Sequence, residues 1–350
     1  MESELPEHGM EEEFRAPGRL SRVFSGIQPS GELHIGNYLG AVRNWVRLQD
    51  EYECFFCIVD LHAITQDYEP SEMPSRVFDL ALGLLAAGLD PQRCTLFVQS
   101  HVPQHTELAW IFNTVTPLGE LERMTQYKEK SARQESVLAG LLNYPVLQAA
   151  DILLYHADAV PVGEDQIQHI ELTREIARKW NVRYGRYFPE PVELIGEVRR
   201  VMGLDGQAKM SKSLGNTVGL LESPEEIWSK IRVALTDPAR VTRKDPGNPY
   251  KCNIFSLHRY FSPPEDVAWS EEGCFSAGIG CIDCKKRLTQ NIVEELRPIR
   301  ERAAELESDP SFVRDVLAEG ARRCREIAET TMAEVKARMG LNGSVEGVGR

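Results

Sequence analysis

The sequence lacks any apolar run that approaches the roughly 20 residues needed by a membrane-spanning helix. It also lacks a basic start followed by an apolar stretch, so it gives no signal for secretion, and we expect a cytoplasmic protein. No internal repeat is evident. What remains is the class of globular proteins with an apolar core, for which a hydrophobic content of 42% is ample.

Positive charge is also scarce. The chain has 40 lysines and arginines against 53 acidic residues, which gives a net charge of −13. The first 20 residues hold six glutamates against Arg15 and Arg19 and contribute −4, so the remainder still carries −9. A nucleic-acid partner would therefore need local basic patches. The candidates are Lys285-Lys286-Arg287, the group Arg297, Arg300 and Arg302, and the group Arg322, Arg323 and Arg325, although each also fits a solvated helix face.

Short apolar runs in the first half of the chain predict buried strands with helical patterns between them. These runs span residues 22–27, 54–60, 95–100 and 159–163. The alternation predicts an α/β fold with a doubly wound, Rossmann-like parallel sheet. Because such sheets bind ligands at the carboxyl ends of their strands, we expect the functional residues there.

Strand patterns stop after about residue 223, and long helical patterns follow. Apolar residues at helical spacing, such as Ile292, Leu296 and Ile299, predict a second, helical domain. A length of 350 residues also exceeds one typical core. The predicted division is an acidic, disordered tail at 1–20, a Rossmann-like domain at 21–222, a helical domain at 223–338 and a tail at 339–350.

The first candidate site is the segment PSGELHIGN at residues 29–37. It follows the first predicted strand and opens a helical pattern, so His34, Gly36 and Asn37 lie at a helix amino terminus. Free backbone N–H groups and the helix dipole favour a phosphate there, and both His34 and Asn37 can donate a hydrogen bond to it. Gly36 allows a nucleotide to approach the backbone. An ordinary turn with a capping histidine explains the same residues equally well.

The second candidate site is the segment KMSKS at residues 209–213. Gly203, Gly206 and Gly215 flank it, which predicts a flexible loop. Taken alone, a solvated basic loop is the simpler interpretation. The presence of both segments in one chain favours ATP chemistry, because two lysines on a loop suit a polyphosphate.

Together the two segments resemble the HIGH and KMSKS signatures of class I aminoacyl-tRNA synthetases, with Asn37 in place of the second histidine. More narrowly, the chain is similar to bacterial tryptophanyl-tRNA synthetases from about residue 23 to about residue 339. The segments GELERMTQ at 119–126, YPVLQAAD at 144–151 and VPVGEDQ at 160–166 also carry this resemblance. It implies a ligase that converts tryptophan and ATP into tryptophanyl-AMP and pyrophosphate, and then charges tRNA(Trp). It further implies a homodimer whose helical domain meets the tRNA anticodon.

The tryptophan pocket is predicted around Asp151. This residue lies in an apolar helical run, where a carboxylate is costly without a partner, so a structural pair within the core is one interpretation. The resemblance implies instead that Asp151 accepts the indole N–H, the one donor that indole offers. It also places Phe24, Gly26, His62, Tyr144, Gln148, Val160, Val162 and Gln166 around the amino acid. Gln148 stands where many bacterial relatives carry Met.

The resemblance implies an ATP site as well. Its residues are Gln28, Pro29, Ser30, His34, Gly36, Asn37, Gly163, Glu164, Asp165, Val201, Lys209, Met210, Ser211, Lys212 and Ser213. We expect Lys130, Lys209 and Lys212 to be catalytic by compensating phosphate charge, although Lys130 also fits an exposed helix lysine. Mg²⁺ should bridge phosphate oxygens with few protein ligands. The reaction needs no general base, because the tryptophan carboxylate is ionised near neutral pH.

Eight cysteines without a secretory leader argue against a disulfide framework and for free thiols or metal. Cys252, Cys274, Cys281 and Cys284 are separated by twenty-one, six and two residues. Such a set suits tetrahedral zinc or a cubane iron–sulfur cluster, and four unrelated thiols are the alternative. The spacing is similar to that of family members with a [4Fe–4S] cluster, so we favour the cluster over zinc.

Cys54 and Cys57 form another CxxC pair, but they lie on a predicted strand. Positions three apart on a strand face opposite sides, so we predict core packing for both.

Two other functions are compatible with these features. A tyrosyl-tRNA synthetase shares the fold and a similar helix with an aspartate, although the segments at 119–126 and 160–166 favour tryptophan. A paralogue that binds RNA or tryptophan as a regulator is the second alternative. The intact segments at 29–37 and 209–213 argue against it, because a protein that only binds does not need them.

Overall fold

The computed structural model describes residues 21–132, 136–196 and 201–341. The predicted acidic tail at 1–20 and residues 342–350 of the predicted tail at 339–350 lie outside these ranges. Within them, no helix is long and apolar enough to cross a membrane.

Five parallel strands form one sheet in the described part of the chain. They are β1 (Arg22–Ile27), β2 (Glu53–Ile58), β3 (Cys94–Val98), β4 (Ala159–Val162) and β5 (Val192–Ile195). Their order is β3-β2-β1-β4-β5, and every neighbouring pair runs in parallel. The α/β fold with a doubly wound sheet and all four predicted strands are confirmed. The sequence does not predict β5, because this four-residue strand contains a glutamate and has partly exposed side chains.

The strand order reverses at the centre of the sheet. From β1 the chain continues to β2 and β3 on one side, and it later returns to place β4 and β5 on the other side. At such a reversal the connections leave in opposite directions and open a crevice at the carboxyl ends of the central strands. The segments that follow Ile27 and Val162 both leave the sheet at this crevice.

The two faces of the sheet contribute to two separate apolar cores. On β2, Cys54 and Phe56 belong to one core, whereas Phe55 and Cys57 belong to the other. The prediction that Cys54 and Cys57 face opposite sides as core residues is therefore confirmed. A strand buried on both faces reads as a continuous apolar run, which is why β2 is easily recognised in the sequence.

Helices cover both faces of the sheet. They are α1 (Ile35–Asn37), α2 (Arg43–Leu48), α3 (Asp60–Ala63), α4 (Met73–Ala86), α5 (Gln104–Asn113), α6 (Leu118–Arg123), α7 (Thr125–Ser131), α8 (Ala139–Leu154) and α9 (Ile167–Tyr184). A π-helical turn, Tyr38–Val42, joins α1 and α2 into one continuous helical stretch.

The described chain after residue 223 is helical. Its helices are α10 (Pro224–Ile231), α11 (Asn253–Phe261), α12 (Pro264–Phe275), α13 (Cys281–Ser308) and α14 (Pro310–Arg338). The start of α10 is encoded locally, because the Ser223 hydroxyl and the Glu226 carboxylate cap each other's backbone N–H groups and Pro224 fills the first helical position.

The last two helices pack back onto the sheet domain. Helix α13 lies against α4, and α14 lies along β3. The approach of α14 is close at Gly320, where an added Cβ would lie 2.0 Å from the Leu96 carbonyl oxygen. One apolar core therefore runs from Val23 on β1 to Leu317 on α14. The division between residues 222 and 223 stays a prediction.

Candidate active site

A cavity of about 810 Å³ lies at the carboxyl edge of the sheet, where β1 and β4 end. It brings together most of the predicted ATP and tryptophan residues. Those that line it are Phe24, Gly26, Gln28, Ser30, His34, Gly36, Asn37, His62, Lys130, Tyr144, Gln148, Asp151, Val160, Val162, Gly163, Glu164, Asp165, Gln166, Val201, Lys209, Met210, Ser211 and Lys212. Pro29 is not among the lining residues, and the side chain of Ser213 is outside the description.

His34 caps the helix that opens at α1. Its Nδ1 accepts hydrogen bonds from the backbone N–H groups of Gly36 (3.1 Å) and Asn37 (3.3 Å). Burial, followed by the nearby charges of Lys212 and Lys209, lowers the pKa of His34 to about 4. The ring is therefore neutral at pH 7, and with Nδ1 accepting, Nε2 carries the hydrogen.

This cap corrects one expectation. The N–H groups of Gly36 and Asn37 are occupied by His34, so the prediction that free backbone N–H groups there receive a phosphate is wrong for these residues. The capping histidine and the site residue are the same side chain. The groups that His34 and Asn37 can offer a ligand are the imidazole Nε2–H and the side-chain NH₂, because the Asn37 Oδ1 accepts from the His34 backbone N–H.

The two predicted motifs contact each other. A Cβ added to Gly36 would lie 2.9 Å from the His34 ring and 3.2 Å from the Cβ of Met210. Met210 itself is 3% exposed, and its backbone N–H donates to the Val201 carbonyl. Glycine is thus required at position 36 mainly by the His34 ring, and the nearby Met210 leaves little room for a larger residue.

A polar residue that the sequence did not single out organises the KMSKS segment. The Asn216 Oδ1 accepts from the Ser211 backbone N–H at 2.7 Å, and its Nδ2 donates to Asp205 at 2.9 Å. Gly203 leaves the space for this amide, since an added Cβ would lie 2.0 Å from the Asn216 Nδ2. The segment therefore has a defined hydrogen-bonded form without a ligand. The three flanking glycines predicted a loop, but they did not indicate that Asn216 would hold it by hydrogen bonds.

Lys212 projects toward the loop that follows β1. Its Nζ lies 3.3 Å from the position of a Cβ on Gly31, whose φ of +113° is one that glycine adopts readily. Burial, with a smaller effect from Arg76, lowers the pKa of Lys212 to about 8, against the opposing charge of Glu32. A partly desolvated ammonium group gains more from a phosphate than a fully hydrated one would.

A second cation reaches the cavity from α7. The Lys130 Nζ lies 5.2 Å from the centre of the Tyr144 ring, a cation–π distance. The Tyr144 hydroxyl lies 3.0 Å from both Gln126 Oε1 and His169 Nε2. Burial lowers the pKa of His169 to about 4, so this histidine is neutral, and the sequence gave no signal for it. Lys130 is exposed and lies over a ring whose hydroxyl is hydrogen-bonded.

Asp151 lies on α8 at the base of the cavity and is 1% exposed. The His62 Nε2 contacts its Oδ2 at 2.7 Å. Gln99 Nε2 at 2.7 Å and His105 Nδ1 at 2.6 Å contact its Oδ1. Asp151 is therefore paired within the core, as the first interpretation predicts, and it also lines the cavity. Its contact with the indole N–H stays a prediction.

Gln99 and His105 are site-supporting residues that the sequence reasoning missed. The cost of burying Asp151 predicted that partners exist, yet nothing in the sequence indicated which side chains would supply them. Burial alone would raise the pKa of Asp151, but the charge and hydrogen bonds of His62 and His105 outweigh it and hold the pKa below its ordinary value. The carboxylate is ionised at neutral pH.

The apolar wall of the cavity comes from the sheet. Val160 and Val162 alternate along β4 and both line the cavity, as their spacing predicts. Phe24 on β1 stacks on Tyr155 with ring centres 5.7 Å apart. Gly26 is required by packing, because an added Cβ would lie 2.8 Å from Val59.

The remaining predicted residues of the ribose side lie together after β4. The Gln166 side chain donates to the Asp165 carboxylate at 3.1 Å, and the Gln126 side chain donates to the Asp165 backbone oxygen at 3.3 Å. An added Cβ on Gly163 would lie 2.8 Å from the Asp165 side chain. Gln148 is half-buried on α8 and lines the same cavity.

The four predicted metal-binding cysteines meet in a second, small cavity of about 20 Å³. Cys252, Cys274, Cys281 and Cys284 all line it. Ser270 Oγ and His258 Nε2 lie 3.2 Å and 3.4 Å from the Cys284 Sγ. In the described part of the chain, however, no three His, Cys, Asp or Glu side chains have the arrangement that holds a metal ion. The sequence brings four thiols together, and they stand as free thiols.

The predicted basic patches are largely neutralised. Lys285 is buried, and its Nζ donates to the carbonyls of Arg232 and Ala234 just after α10. Arg297 pairs with Glu294 and Glu301. Arg322 pairs with Glu319 and Glu326, and Arg323 also contacts Glu319. These arginines behave as parts of charged helix surfaces.

The fold and the site together indicate the class of protein. A parallel sheet of order 3-2-1-4-5, with a histidine-capped turn after β1 and a lysine loop facing it, is the class I synthetase arrangement of a nucleotide site.

Comparison with known proteins then specifies the family. The family model described as tRNA synthetases class I (W and Y) matches residues 17–297. The chain is 58% identical to a tryptophan–tRNA ligase of Deinococcus radiodurans, over 92% of this chain and 99% of that protein. It is 47% identical to a tryptophan–tRNA ligase of Thermotoga maritima, over 91% and 99%. The chain therefore belongs to the class I tRNA synthetases of the tryptophan and tyrosine family.

A solved structure agrees with this assignment. The crystal structure of a tryptophanyl-tRNA synthetase from Campylobacter jejuni, complexed with ADP and tryptophan, superposes with a TM-score of 0.83 at 37% identity. The match covers 91% of this chain and 100% of that one.

Proposed function

We propose that the protein is a tryptophan–tRNA ligase that forms tryptophanyl-AMP from tryptophan, ATP and Mg²⁺ and then charges tRNA(Trp). The observation that carries this proposal is the single cavity that holds Asp151 at its base and the two motifs at its mouth. An acceptor for an indole N–H and cations for a triphosphate thus open into one space. The names of the similar proteins support the same activity.

In the first step, an oxygen of the tryptophan carboxylate attacks the α-phosphorus of ATP, and the bond to the bridging oxygen of pyrophosphate breaks. The nucleophile is already ionised, so the protein supplies position and charge. Lys209 and Lys212 stabilise the negative charge that moves onto the leaving pyrophosphate, and Lys130 approaches the phosphates from α7. Mg²⁺ held by phosphate oxygens would add further positive charge.

The HIGN turn holds the nucleotide on the opposite side. The neutral His34 ring presents Nε2–H, and Asn37 presents its NH₂ group, so both are donors without a net charge. Glu164 and Asp165 approach the ribose hydroxyls, and Val201 packs on the adenine. In the second step, the terminal adenosine of the tRNA attacks the mixed anhydride and releases AMP.

Tryptophan selection rests on the acceptor capacity of Asp151. Its Oδ1 has two donors and its Oδ2 has one, so one acceptor position remains on Oδ2. An amino acid without a ring N–H leaves that position of a buried charge unpaired. A site built around such a bond can discriminate by about 10⁴–10⁵ without editing.

We also propose that the helical domain, residues 223–338, meets the tRNA anticodon, and that the protein works as a homodimer in the cytoplasm. Support for the dimer comes from apolar side chains exposed on helices that pack together. Trp110 on α5 is 72% exposed, Leu118 on α6 is 59% exposed and Leu138 before α8 is 67% exposed. Light scattering should show a dimer that Trp110→Glu weakens, whereas Val182→Glu, at an exposed apolar position on α9, leaves it intact.

The cysteine cavity is proposed to hold a [4Fe–4S] cluster, with zinc as the alternative. Four thiols lining one cavity supply the donor set that either metal site needs. The cluster would tie α11, α12 and α13 together and so have a structural role. Anaerobic purification should give a brown protein that contains iron and inorganic sulfide. A colourless, iron-free preparation would exclude the cluster, and bound zinc would favour the alternative.

The experiment that tests the activity is ATP–pyrophosphate exchange with each amino acid in turn, followed by charging of tRNA. We expect exchange with tryptophan alone and charging of tRNA(Trp). Exchange with tyrosine would instead assign the protein to the other branch of its family. Tryptophan binding without exchange would favour a regulator.

A further inference from the structure

The donors around Asp151 come from two directions. His62, which lines the cavity, contacts Oδ2. Gln99 and His105, which do not line it, contact Oδ1 from the protein side. Oδ2 is therefore the oxygen at the cavity, and Oδ1 is held entirely by the protein.

Behind His105 the hydrogen bonds continue to the last helix. The Tyr155 hydroxyl lies 2.7 Å from the His105 Nε2, and it shares a further hydrogen bond with Cys324 on α14. Burial raises the pKa of Tyr155 well above its ordinary value, so Tyr155 is a neutral phenol that can donate. When it donates to Nε2, the hydrogen of a neutral His105 must lie on Nδ1, which faces Asp151.

The position of Tyr155 is itself fixed by packing. Its ring stacks between Phe24 and Phe55 at 5.7 Å and 5.2 Å. Tyr155 and His105 are both 0% exposed, so water cannot replace the hydrogen bond between them or the one from His105 to Asp151. The hydrogen bonds from Tyr155 to His105 and from His105 to Asp151 are thus made by buried side chains, and neither Tyr155 nor His105 lines the cavity.

We propose that Gln99, His105 and Tyr155 are positioning residues: they hold Asp151 as an ionised acceptor with one open position on Oδ2, and thereby set the selection for an amino acid with a ring N–H. This inference rests on the proposed function. It assigns specificity to residues outside the cavity, because an aspartate with a missing donor would take up a proton or turn its open position away from the ligand.

The titratable groups that face Asp151 support a simple pH dependence of tryptophan binding. They are His62 from α3, His105 from α5, Cys57 from β2 and Tyr155 at the end of α8. Burial raises the pKa of both Cys57 and Tyr155 well above their ordinary values, so neither charges near neutral pH. Loss of the His105 donor leaves burial less opposed, so the Asp151 pKa rises and tryptophan binding fails at a higher pH.

The test compares tryptophan with its benzothiophene analogue, in which sulfur replaces the ring N–H. ATP–pyrophosphate exchange gives kcat/KM for each, and KM for tryptophan is followed from about pH 5 to pH 8, the range over which His and raised Asp groups titrate. The variants are His105→Leu, His105→Asn, which keeps a donor near Nδ1, and Tyr155→Phe, which keeps the stacked ring. Thr331→Val is the control, because it removes another buried hydrogen bond, from α14 to the Leu154 carbonyl at 2.9 Å.

We expect His105→Leu to lower the preference for tryptophan by about tenfold or more, and to move the acid rise in KM to higher pH. His105→Asn should restore most of the preference for tryptophan and most of the wild-type pH profile. Tyr155→Phe should lower the preference by a smaller factor. Thr331→Val should change neither the preference nor the pH profile. Equal losses with tryptophan and the analogue, or a wild-type preference and pH profile in Tyr155→Phe, would overturn the inference. Tyr155→Phe decides the question if His105→Leu does not fold. Absence of tryptophan-dependent exchange in the wild-type protein would instead refute the proposed function.

Discussion

The two polar sites of this molecule differ in how complete they are without a ligand. At the sheet edge, Asp151 has three donors, His34 caps its helix, and Asn216 holds the KMSKS segment. In the helical region, four cysteines line a cavity as free thiols, without the arrangement of a metal site. The first site is built by hydrogen bonds within the protein, whereas the second is a group of neutral thiols that line one cavity.

This difference follows from the chemistry of the groups. A buried carboxylate must be paired during folding, because an unpaired charge in the core is too costly. A neutral thiol behaves as a small apolar group and needs no partner, and burial raises the pKa of Cys252 and Cys284, which keeps them protonated. The cysteine cavity can therefore form without metal, and the sheet-edge cavity cannot form without its polar partners.

The largest expected effect is at the base of the first site. Asp151→Asn replaces the ionised acceptor by an amide, so we expect kcat/KM for tryptophan to fall by about 10³-fold or more in pyrophosphate exchange. Asp266→Asn is the matched control, because Asp266 is a buried carboxylate near Asn291 in the helical region. A loss of similar size in the control would mean that Asp151 has only a structural role.

A smaller effect is expected at the mouth of the same site. Lys212→Ala removes the charge that is proposed to stabilise the leaving pyrophosphate, so kcat for activation should fall by about 10²-fold while tryptophan binding changes little. Single-turnover formation of the adenylate and equilibrium tryptophan binding separate the two. Lys286→Ala, at an exposed lysine of α13, serves as control. Comparable losses in activation and binding would count against a role for Lys212 in the transition state.

The third prediction concerns the pH dependence of kcat/KM for ATP. The pKa of Lys212 is lowered to about 8, and the proposed contact with phosphate needs its protonated form, so kcat/KM for ATP should decrease as the pH rises above 8. Lys212→Arg should move this decrease to higher pH, because a guanidinium stays charged. His34, with a pKa of about 4, should add no limb between pH 5 and pH 8. An unshifted alkaline limb in Lys212→Arg would assign it to another group.

The smallest effect on activity is expected from the second site. Cys281→Ser removes one of the four thiols of the proposed cluster site. On that proposal, bound iron should fall below one cluster per chain, while tryptophan-dependent exchange changes by less than about twofold, since the cavity lies outside the catalytic site. Cys94→Ser, at a buried cysteine of β3, should leave the iron content unchanged. A large loss of exchange with unchanged metal content would contradict this separation of roles.

The sequence predicted those parts of the molecule whose signals are local. Strands buried on both faces, such as β2, read as apolar runs, and the two motifs could be recognised as short strings. Strand β5 could not be predicted, because it is short and partly exposed and gains its place from pairing with β4. Helix α14 reads as a helix, but its return to β3 depends on Gly320, which a sequence pattern does not distinguish from other glycines.

The sequence predicted most of the residues that line the candidate site, but it did not predict the residues that hold Asp151 in place. The sequence placed Asp151 in an apolar helix and showed that it needs a partner, yet Gln99 and His105 come from different elements 52 and 46 residues away. Likewise, His34 was recognised as a site residue and a possible cap, but only the structure shows that capping occupies the N–H groups of Gly36 and Asn37. Such contacts depend on tertiary packing, which local spacing does not encode.

The central claim is that one cavity holds the indole at Asp151 and the triphosphate at the two motifs. Mass spectrometry of the purified protein, mixed with tryptophan, ATP and Mg²⁺, tests it most directly. We predict an enzyme-bound tryptophanyl-AMP that is abolished in Asp151→Asn and strongly slowed in Lys212→Ala. Absence of the adenylate in the wild-type protein, or its undiminished formation in Asp151→Asn, would contradict the account.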